Sequence, residues 1–469
     1  MAASDAHRAP PRRPLVVKPV FTFPLTTRRP QTSWRNWGGI ETPTDVDQEA
    51  SRIREQLVRL ERTADFPVRF LPLAVVRRAT ELAQAADVAG ADAILAYAAG
   101  DGAGDLMASI NPIHALGKPT IFFALHKSGP LYYWYEGIMA WYLHQHTDEL
   151  AVPGIDYTDV VVDSADELLW RIRALCGWAN TVGSRIVAIG GPTGWATPTA
   201  PDVARQKWRL DIRSVSYAEL GERIKRARSD AAAVAAARQR AAQYLADRSV
   251  QRETAPPFIE NCFLLETVLR AVMAEADARA ITINECMTTI MPLAETTACL
   301  TLSVLNDAGY LAFCEADFVV VPAGLLLANI SGRPVFLNDP TYPHAGVITL
   351  AHCTAPRRMD GVALEPARIL THFESDYGAA PKVEMRRGQK VTNIIPDFQS
   401  ARWCGFVGEI VDAPFLQICR SQIDVAYRCS DLHLATKMPG FHWITCYGDY
   451  AREVAYALRR TPIAWENLG

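Results

Sequence analysis

The chain changes its secondary-structure rhythm once, and that change constrains its fold more than any other feature. From Leu15 to about Ala355, short apolar runs alternate with stretches of helical spacing. Beyond that point short apolar runs follow one another, separated by Gly, Pro and Asp, until a final helical stretch at Tyr450–Arg459. Strands alternating with helices across short turns predict parallel sheets covered on both faces. Successive strands without intervening helices predict an antiparallel barrel or sandwich.

In the first part, strands are expected at Leu15–Phe21, Val68–Leu71, Ala91–Tyr97, Pro119–Leu125 and Val160–Val162. A helix over Asp45–Arg62 would bury Ile53, Leu57, Val58 and Leu60. A second strand–helix unit starts at Arg185–Ile189, with further strands at Leu210–Val215 and Ile281–Asn284. Its predicted helices are one long Ala/Arg-rich segment, Gly221–Val250, then Asn261–Ala278 and Thr297–Leu305. The later strands fall at Arg368–Phe373, Lys382–Met385, Lys390–Ile395, Cys404–Val411 and Gln422–Tyr427. The expected fold class is therefore α/β: two doubly wound parallel-sheet domains (15–175 and 176–355), then a C-terminal antiparallel, barrel-like β domain (356–469). Residues 1–14, rich in Ala, Arg and Pro with no apolar core of a signal peptide, read as a disordered tail.

A length of 469 residues calls for more than one core. With 49% hydrophobic and 21% charged residues, the composition is that of a globular protein. A net charge of −3 gives no global field to recruit nucleic acid. Arg357-Arg358 and Arg386-Arg387 read as solvated loops. The apolar stretch at 318–330 contains Pro and Gly and is too short for a bilayer, so no membrane association is expected. Ten cysteines, none in a CxxC pair and most among apolar neighbours, suit reduced thiols in a cytoplasmic protein.

Three residues stand out for chemistry. Glu315 lies in Phe313-Cys-Glu-Ala-Asp317, Asp339 in Val335-Phe-Leu-Asn-Asp339 and His442 in Pro439-Gly-Phe-His442. Two carboxylates and an imidazole make an O,O,N donor set for a divalent cation that leaves positions open for substrate. Such an ion can hold two adjacent sugar oxygens while a carboxylate moves a proton, the chemistry of aldose–ketose isomerisation. Hard oxygen donors with one imidazole favour Mn²⁺, with Mg²⁺ or Co²⁺ as alternatives. Each residue alone also has an ordinary explanation. Glu315 and Asp317 could start a helix, Asp339-Pro340 could be a turn, and His442 could be a satisfied core histidine.

The stretch Cys299-Leu-Thr-Leu-Ser-Val-Leu-Asn-Asp-Ala-Gly309, then Cys314-Glu-Ala-Asp317, Gly332-Arg-Pro-Val-Phe336 with Asp339, and His352-Cys353, resembles the L-fucose isomerase/L-arabinose isomerase superfamily. The likeness is nearest to its short, fucose isomerase-related members, which carry CL-x-LS-x-LND-x-G, CEGD, GRPVF-x-x-D and HC in that order. It is close over residues 299–353 and looser over 436–466; residues before 290 share only the α/β rhythm. The resemblance implies that Glu315 and Asp339 are metal ligands and the proton-transfer pair, and that His442 is the third ligand. His352, in an Ala-His motif, would be a fourth ligand or sit just behind the others. Ala316 departs from the pattern, where relatives often have Gly, so the identity of the substrate is open. The resemblance also implies a homo-oligomer, a trimer or hexamer, acting on a small-molecule sugar.

The expectation is thus a cytoplasmic, metal-dependent aldose–ketose isomerase. The alternatives are a non-catalytic sugar-binding protein on the same scaffold, or another enediolate reaction such as epimerisation or retro-aldol cleavage. Trp34 and Trp37, in an aromatic loop after the first strand, and Lys127, after the fourth, are candidates for holding sugar. Each could equally be surface packing. His144-x-His146 diverges on a helix and is not expected to share a metal. The turns Gly100-Asp-Gly-Ala-Gly104 and Gly190-Gly-Pro192 follow strands, as ligand-lining turns do, but fit no nucleotide motif. Cys314 and Cys353 are expected to pack rather than to react.

Overall fold

The computed structural model describes residues 8–35, 37–100, 112–138, 143 and 155–469. His144, His146 and Asp101 to Gly104 lie outside the described residues. The chain forms two compact units, one of Arg12–Ala179 and one of Asn180–Gly469, the second taking in the described residues before Arg12.

In the unit Arg12–Ala179, β1 (Leu15–Thr22) is the strand with the most partners. It pairs in parallel with β2 (Val68–Phe70), β3 (Ala74–Val76) and β4 (Ala93–Ala98). β5 (Thr120–Ala124) and β6 (Val160–Val162) extend the sheet in the order β2-β1-β4-β5-β6. Its strands are nearly continuous apolar runs, as parallel strands covered on both faces must be. Helix α1 (Pro43–Thr63) starts where Thr42 and Asp45 form a reciprocal cap with Pro43 at the first position. Ile53, Leu57 and Leu60 are buried along it, but Val58 is 68% exposed. Five positions from Ile53, Val58 falls well off the stripe, so its place in the expected apolar face is corrected. Helix α2 (Ala165–Thr181) follows β6.

The unit Asn180–Gly469 begins with a second parallel sheet. β7 (Arg185–Ile189), β8 (Asp211–Val215), β10 (Ala280–Ile283) and β11 (Leu311–Cys314) stand in the order β11-β10-β7-β8. α3 (Ala200–Trp208) joins β7 to β8. The predicted long helix is two, α4 (Tyr217–Ser229) and α5 (Ala231–Leu245). Asp230 separates them because its side chain caps the amides of Ala232 and Ala233, which outcompetes continuation of the helix. After α5, β9 (Val250–Arg252) begins at Val250, the residue at which the long helix was expected to end. α6 (Pro256–Glu275) and α7 (Cys299–Asp307) pack on the sheet through Leu265, Leu269, Leu302 and Leu305.

The late strands close on themselves. β12 (Phe336–Pro340), β13 (Val347–His352), β16 (Lys390–Pro396), β17 (Arg402–Asp412), β18 (Ser421–Ala426) and β19 (Trp443–Tyr447) form an antiparallel ring, β16-β19-β12-β13-β18-β17 and back to β16. β20 (Ala464–Asn467) adds to β17 in parallel. β14 (Ala367–His372) and β15 (Tyr377–Val383) pair with β9 as a separate three-stranded sheet. Closure leaves six strands without free edges. Phe336, Leu350, Ile395, Phe406, Val425 and Trp443 belong to the core they share with α5 and α6. The ring takes in β12 and β13, upstream of residue 356, where the β-rich part was expected to begin. α8 (Val321–Ser331), buried along its whole length, leads from β11 towards β12. α9 (Asp431–Lys437) precedes β19, and α10 (Ala451–Leu458) follows it.

Two local expectations change. Ala9 donates its amide to the Ala308 carbonyl at 2.9 Å, so the described part of the N-terminal tail is tied down, not disordered. Arg357 is not in a solvated loop: its side chain is 0% exposed and pairs with Asp247 at 2.9 Å. None of the ten cysteines forms a disulfide. Among the described residues, no helix is long and apolar enough to cross a membrane.

Candidate metal centre

The parallel sheet supplies the first carboxylate. β11 ends at Cys314, and the next two residues, Glu315 and Ala316, both take left-handed backbone, with φ of 63° and 48°. Side chains disfavour that region by about 1–2 kcal/mol per residue. The turn is held by a neighbouring loop. The Thr193 amide donates to the Ala316 carbonyl at 3.1 Å, and the Phe318 amide donates to the Thr193 carbonyl at 2.9 Å. Asp317 caps the turn by accepting from the Val319 amide at 2.9 Å.

The barrel supplies the other groups through strand register. β12 and β19 pair with Asn338 opposite Trp443. One residue further along, Asp339 and His442 are therefore brought side by side. On the other flank of β12, Asp339 pairs with Ala351, and His352 follows as the last residue of β13. Asp339 is thus a barrel residue, whereas position 339 was expected to fall within the second parallel-sheet domain, 176–355.

These side chains converge. The His442 Nε2 lies 3.2 Å from Glu315 Oε2 and 3.3 Å from Asp339 Oδ1. The His352 Nε2 lies 3.5 Å from Glu315 Oε1. The structure therefore brings together Glu315, Asp339, His442 and His352. Both imidazoles are anchored on their other nitrogen. The His442 Nδ1 is 2.7 Å from Asp317 Oδ2, and the His352 Nδ1 is 3.0 Å from the Thr354 hydroxyl. A carboxylate on Nδ1 holds the N–H there and turns the Nε2 lone pair towards the cluster. Although their neighbours are close, Asp339 Oδ1 and His442 Nε2 are buried with no hydrogen-bond partner. Buried polar atoms are rarely left in this state unless something else satisfies them.

Charge is concentrated here. Burial would raise the Glu315 carboxyl, but His352 and His442 outweigh it and hold the group well below the usual range. Burial dominates at Asp339 and raises its carboxyl, with the Glu315 charge adding to the rise. Burial disfavours the imidazolium of His352, yet Glu315 and Asp339 lift it to about 9. Against the same burial, Asp317 and Glu315 lift His442 to about 10. Two carboxylates pushed in opposite directions are a pattern of paired acid–base groups.

Cys314 enters as a rival donor. Cys314, Glu315 and His352 each offer a ligand atom within 4.8 Å of the others. The Cys314 thiol, however, points at Cys286, 3.2 Å away, and that contact together with burial raises it well above its usual range. Cys353 is likewise buried and accepts the Arg420 amide at 3.4 Å.

The other sequence candidates lie in the unit Arg12–Ala179. The Arg35 guanidinium sits over the Trp34 ring, and Trp37 meets Tyr133 edge-on with centroids 6.4 Å apart. Lys127 donates its amide to Asp163 at 3.0 Å, and its side chain is exposed. Sequence reasoning missed two residues of the cluster's surroundings. Asp317 was read only as a helix start, although its spacing from Glu315 was visible. Trp195, on the loop that follows the Gly190-Gly191-Pro192 turn, was not singled out; its contacts depend on the Thr193 bridge, which no local pattern announces. No family model and no curated protein matches this sequence.

Proposed function

We propose that this protein is a metal-dependent sugar isomerase that interconverts an aldose and a ketose. The observation that carries the reading is the meeting of two carboxylates at one imidazole: the His442 Nε2 lies 3.2 Å from Glu315 Oε2 and 3.3 Å from Asp339 Oδ1. Glu315, Asp339 and His442 would hold a divalent cation there, with His352 as a fourth donor. When bound, that cation supplies positive charge for two adjacent sugar oxygens and for the enediolate that forms between them. Oxygen and imidazole donors favour Mn²⁺, with Mg²⁺ or Co²⁺ also suited.

The chain's own residues divide the remaining work. Asp317 fixes the ring of His442, and Thr354 fixes that of His352. Glu315 and Asp339 each lie within 3.3 Å of the His442 Nε2, and one of them would take the proton from C1 or C2 of an open-chain sugar and return it to the other carbon. A positioned general base of this kind contributes roughly 10²–10⁴-fold. The family likeness adds the expectation of a trimer or hexamer.

The test is solvent exchange. The Mn²⁺-loaded protein, incubated in D₂O with a panel that includes L-fucose and L-arabinose, should place deuterium at C1 or C2 and form the matching ketose, both read by NMR. Binding without exchange would favour a sugar-binding protein, and a product epimeric at C2 or cleaved would favour one of the other enediolate reactions. A second reading concerns the ion. If Cys314 gives up its contact with Cys286, the Cys314–Glu315–His352 group becomes a softer site suited to Zn²⁺. Metal analysis of the purified protein, with Cys314→Ser beside it, separates the two.

A further inference from the structure

Trp195 combines three unusual properties. It is a bulky residue in left-handed backbone, with φ of 51°. Its ring is 53% exposed, although the chain buries most of its large apolar side chains. It also stacks face to face on Phe441, with centroids 4.2 Å apart and planes 4° from parallel. Phe441 immediately precedes His442, and the Trp195 and His442 ring centroids are 6.1 Å apart.

The backbone around the pair is fixed. A Cβ at Gly194 would strike the Thr197 carbonyl, and one at Gly440 would strike the Pro396 carbonyl, so both aromatic residues follow glycines that nothing larger can replace without movement. The loop carrying Trp195 is the same one whose Thr193 pairs with Asp317 beside Glu315. Two elements that position the proposed ligands thus also position the stacked rings. Left-handed backbone at a large residue is a strain of the kind that surrounding structure maintains at ligand sites. Phe441 covers one face of Trp195, and the indole still leaves about half its surface open.

We propose that Trp195, backed by Phe441, is the aromatic platform on which the carbon skeleton of the sugar rests while its first two oxygens occupy the Glu315–Asp339–His442 cluster. It makes Trp195 a specificity-determining residue. The substrate it selects presents a face of C–H bonds beyond C2, because a flat, weakly negative ring face attracts polarised C–H groups and offers nothing to an anionic substituent. This rests on the isomerase reading above for the placement of C1 and C2, but it makes a separate claim about what holds the rest of the chain.

The experiment compares wild type, Trp195→Ala and Trp195→Phe, each loaded with Mn²⁺. Binding of L-fucose, L-arabinose and their alditols is measured by calorimetry, turnover by NMR, and bound metal by elemental analysis. Trp195→Ala should keep its metal and its fold. It should weaken sugar and alditol binding roughly 10-fold, raising KM more than it lowers kcat, and Trp195→Phe should recover most of that loss. Unchanged binding and KM in Trp195→Ala, with wild type active, would overturn the platform and leave the isomerase standing. Wild type that binds sugar without exchange, but loses that binding in Trp195→Ala, supports the platform and removes the isomerase. A change in oligomer mass with unchanged sugar affinity would mean that Trp195 seats a protein surface, and would also overturn the proposal. Wild type that binds none of these probes sinks both ideas.

Discussion

The parallel sheet and the barrel of the unit Asn180–Gly469 contribute to one cluster by different physical means. The barrel sets Asp339, His352 and His442 by register: each lies in or directly beside a strand whose ladder hydrogen bonds fix it against the next. The parallel sheet contributes Glu315 from beyond the end of β11, in backbone that is disfavoured and must be held by Thr193 and Asp317. A ladder distributes the constraint over many bonds, while a strained turn concentrates it in a few. The first should keep a ligand's aim through a local substitution, and the second should not.

The largest effect tests whether both sides are needed at all. Glu315→Gln, from the sheet, and Asp339→Asn and His442→Ala, from the barrel, should each abolish stoichiometric Mn²⁺ binding or cut turnover by at least about 10²-fold, with circular dichroism unchanged. If only the two barrel variants lost metal, Glu315 would be a bystander and the two-sided site would be wrong. Next in size is a purely structural change. Arg357 is fully buried, donates to the Glu365 carbonyl at 2.7 Å and pairs with Asp247. It ties the segment after β13 to the turn between α5 and β9. Arg357→Leu should cost about 1–3 kcal/mol in urea unfolding, because the Glu365 carbonyl loses its donor, while Asp247, 35% exposed, keeps water. A cost below about 1 kcal/mol would show that the barrel side does not depend on this anchor.

Asp317→Asn weighs the link between the two sides. It removes the charge on the Nδ1 of His442 while keeping the shape. Metal affinity should fall roughly 10–100-fold, and apo-protein stability should change far less. Equal losses in both would make Asp317 a packing residue only.

Much of this was legible in the sequence, for reasons that differ by region. Strand positions such as Leu15–Thr22, Arg185–Ile189 and Lys390–Pro396 announce themselves because apolar periodicity is local. The break at Asp230 was hidden because helix propensity stays high on both sides, and one capping side chain decides the outcome. β9 was missed because Val250 is its single apolar residue, and β3 because it follows Val68–Phe70 too closely to read as a separate strand; the pairing partners of both lie far along the chain. The four convergent side chains could be nominated one at a time, by residue type and by resemblance to a family. Their meeting depends on barrel closure, which sets register across residues 336–447 and leaves no trace in any single segment. Trp195 and the second role of Asp317 stayed invisible for the same reason.

Acidity probes the anchor again, more gently. Burial opposes ionisation of Asp247, but Ser249 and the Arg357 guanidinium outweigh it and bring the carboxyl down to about 2. A folded-state value below the ordinary one of about 3.9 means that the interaction is fully present above about pH 4 and is lost as pH falls towards 2. Wild type should therefore lose stability more steeply across that interval than Asp247→Asn. Because the Asp247 side chain is 35% exposed, solvent screens the pair and the difference should be modest. Parallel curves would assign the acid sensitivity to other carboxylates.

The smallest effect concerns Ala316, and it separates the ladder from the turn most sharply. Its methyl group sits in left-handed backbone beside Glu315 and is fully buried. Glycine there would remove a strain of about 1–2 kcal/mol and would return about 0.4–1 kcal/mol of that to the unfolded chain as extra freedom. Ala316→Gly should accordingly stabilise the protein by a few tenths to about 1 kcal/mol. The same freedom loosens the turn that aims Glu315, so metal affinity should fall slightly while stability rises. An alanine-to-glycine change in a barrel strand, such as Ala351→Gly opposite Asp339, should do the reverse: it should destabilise the fold by about 0.5–1 kcal/mol and leave the aim of Asp339 to the remaining ladder bonds. If both variants moved stability and metal affinity in the same direction, the distinction between a ligand held by strain and ligands held by register would have no content.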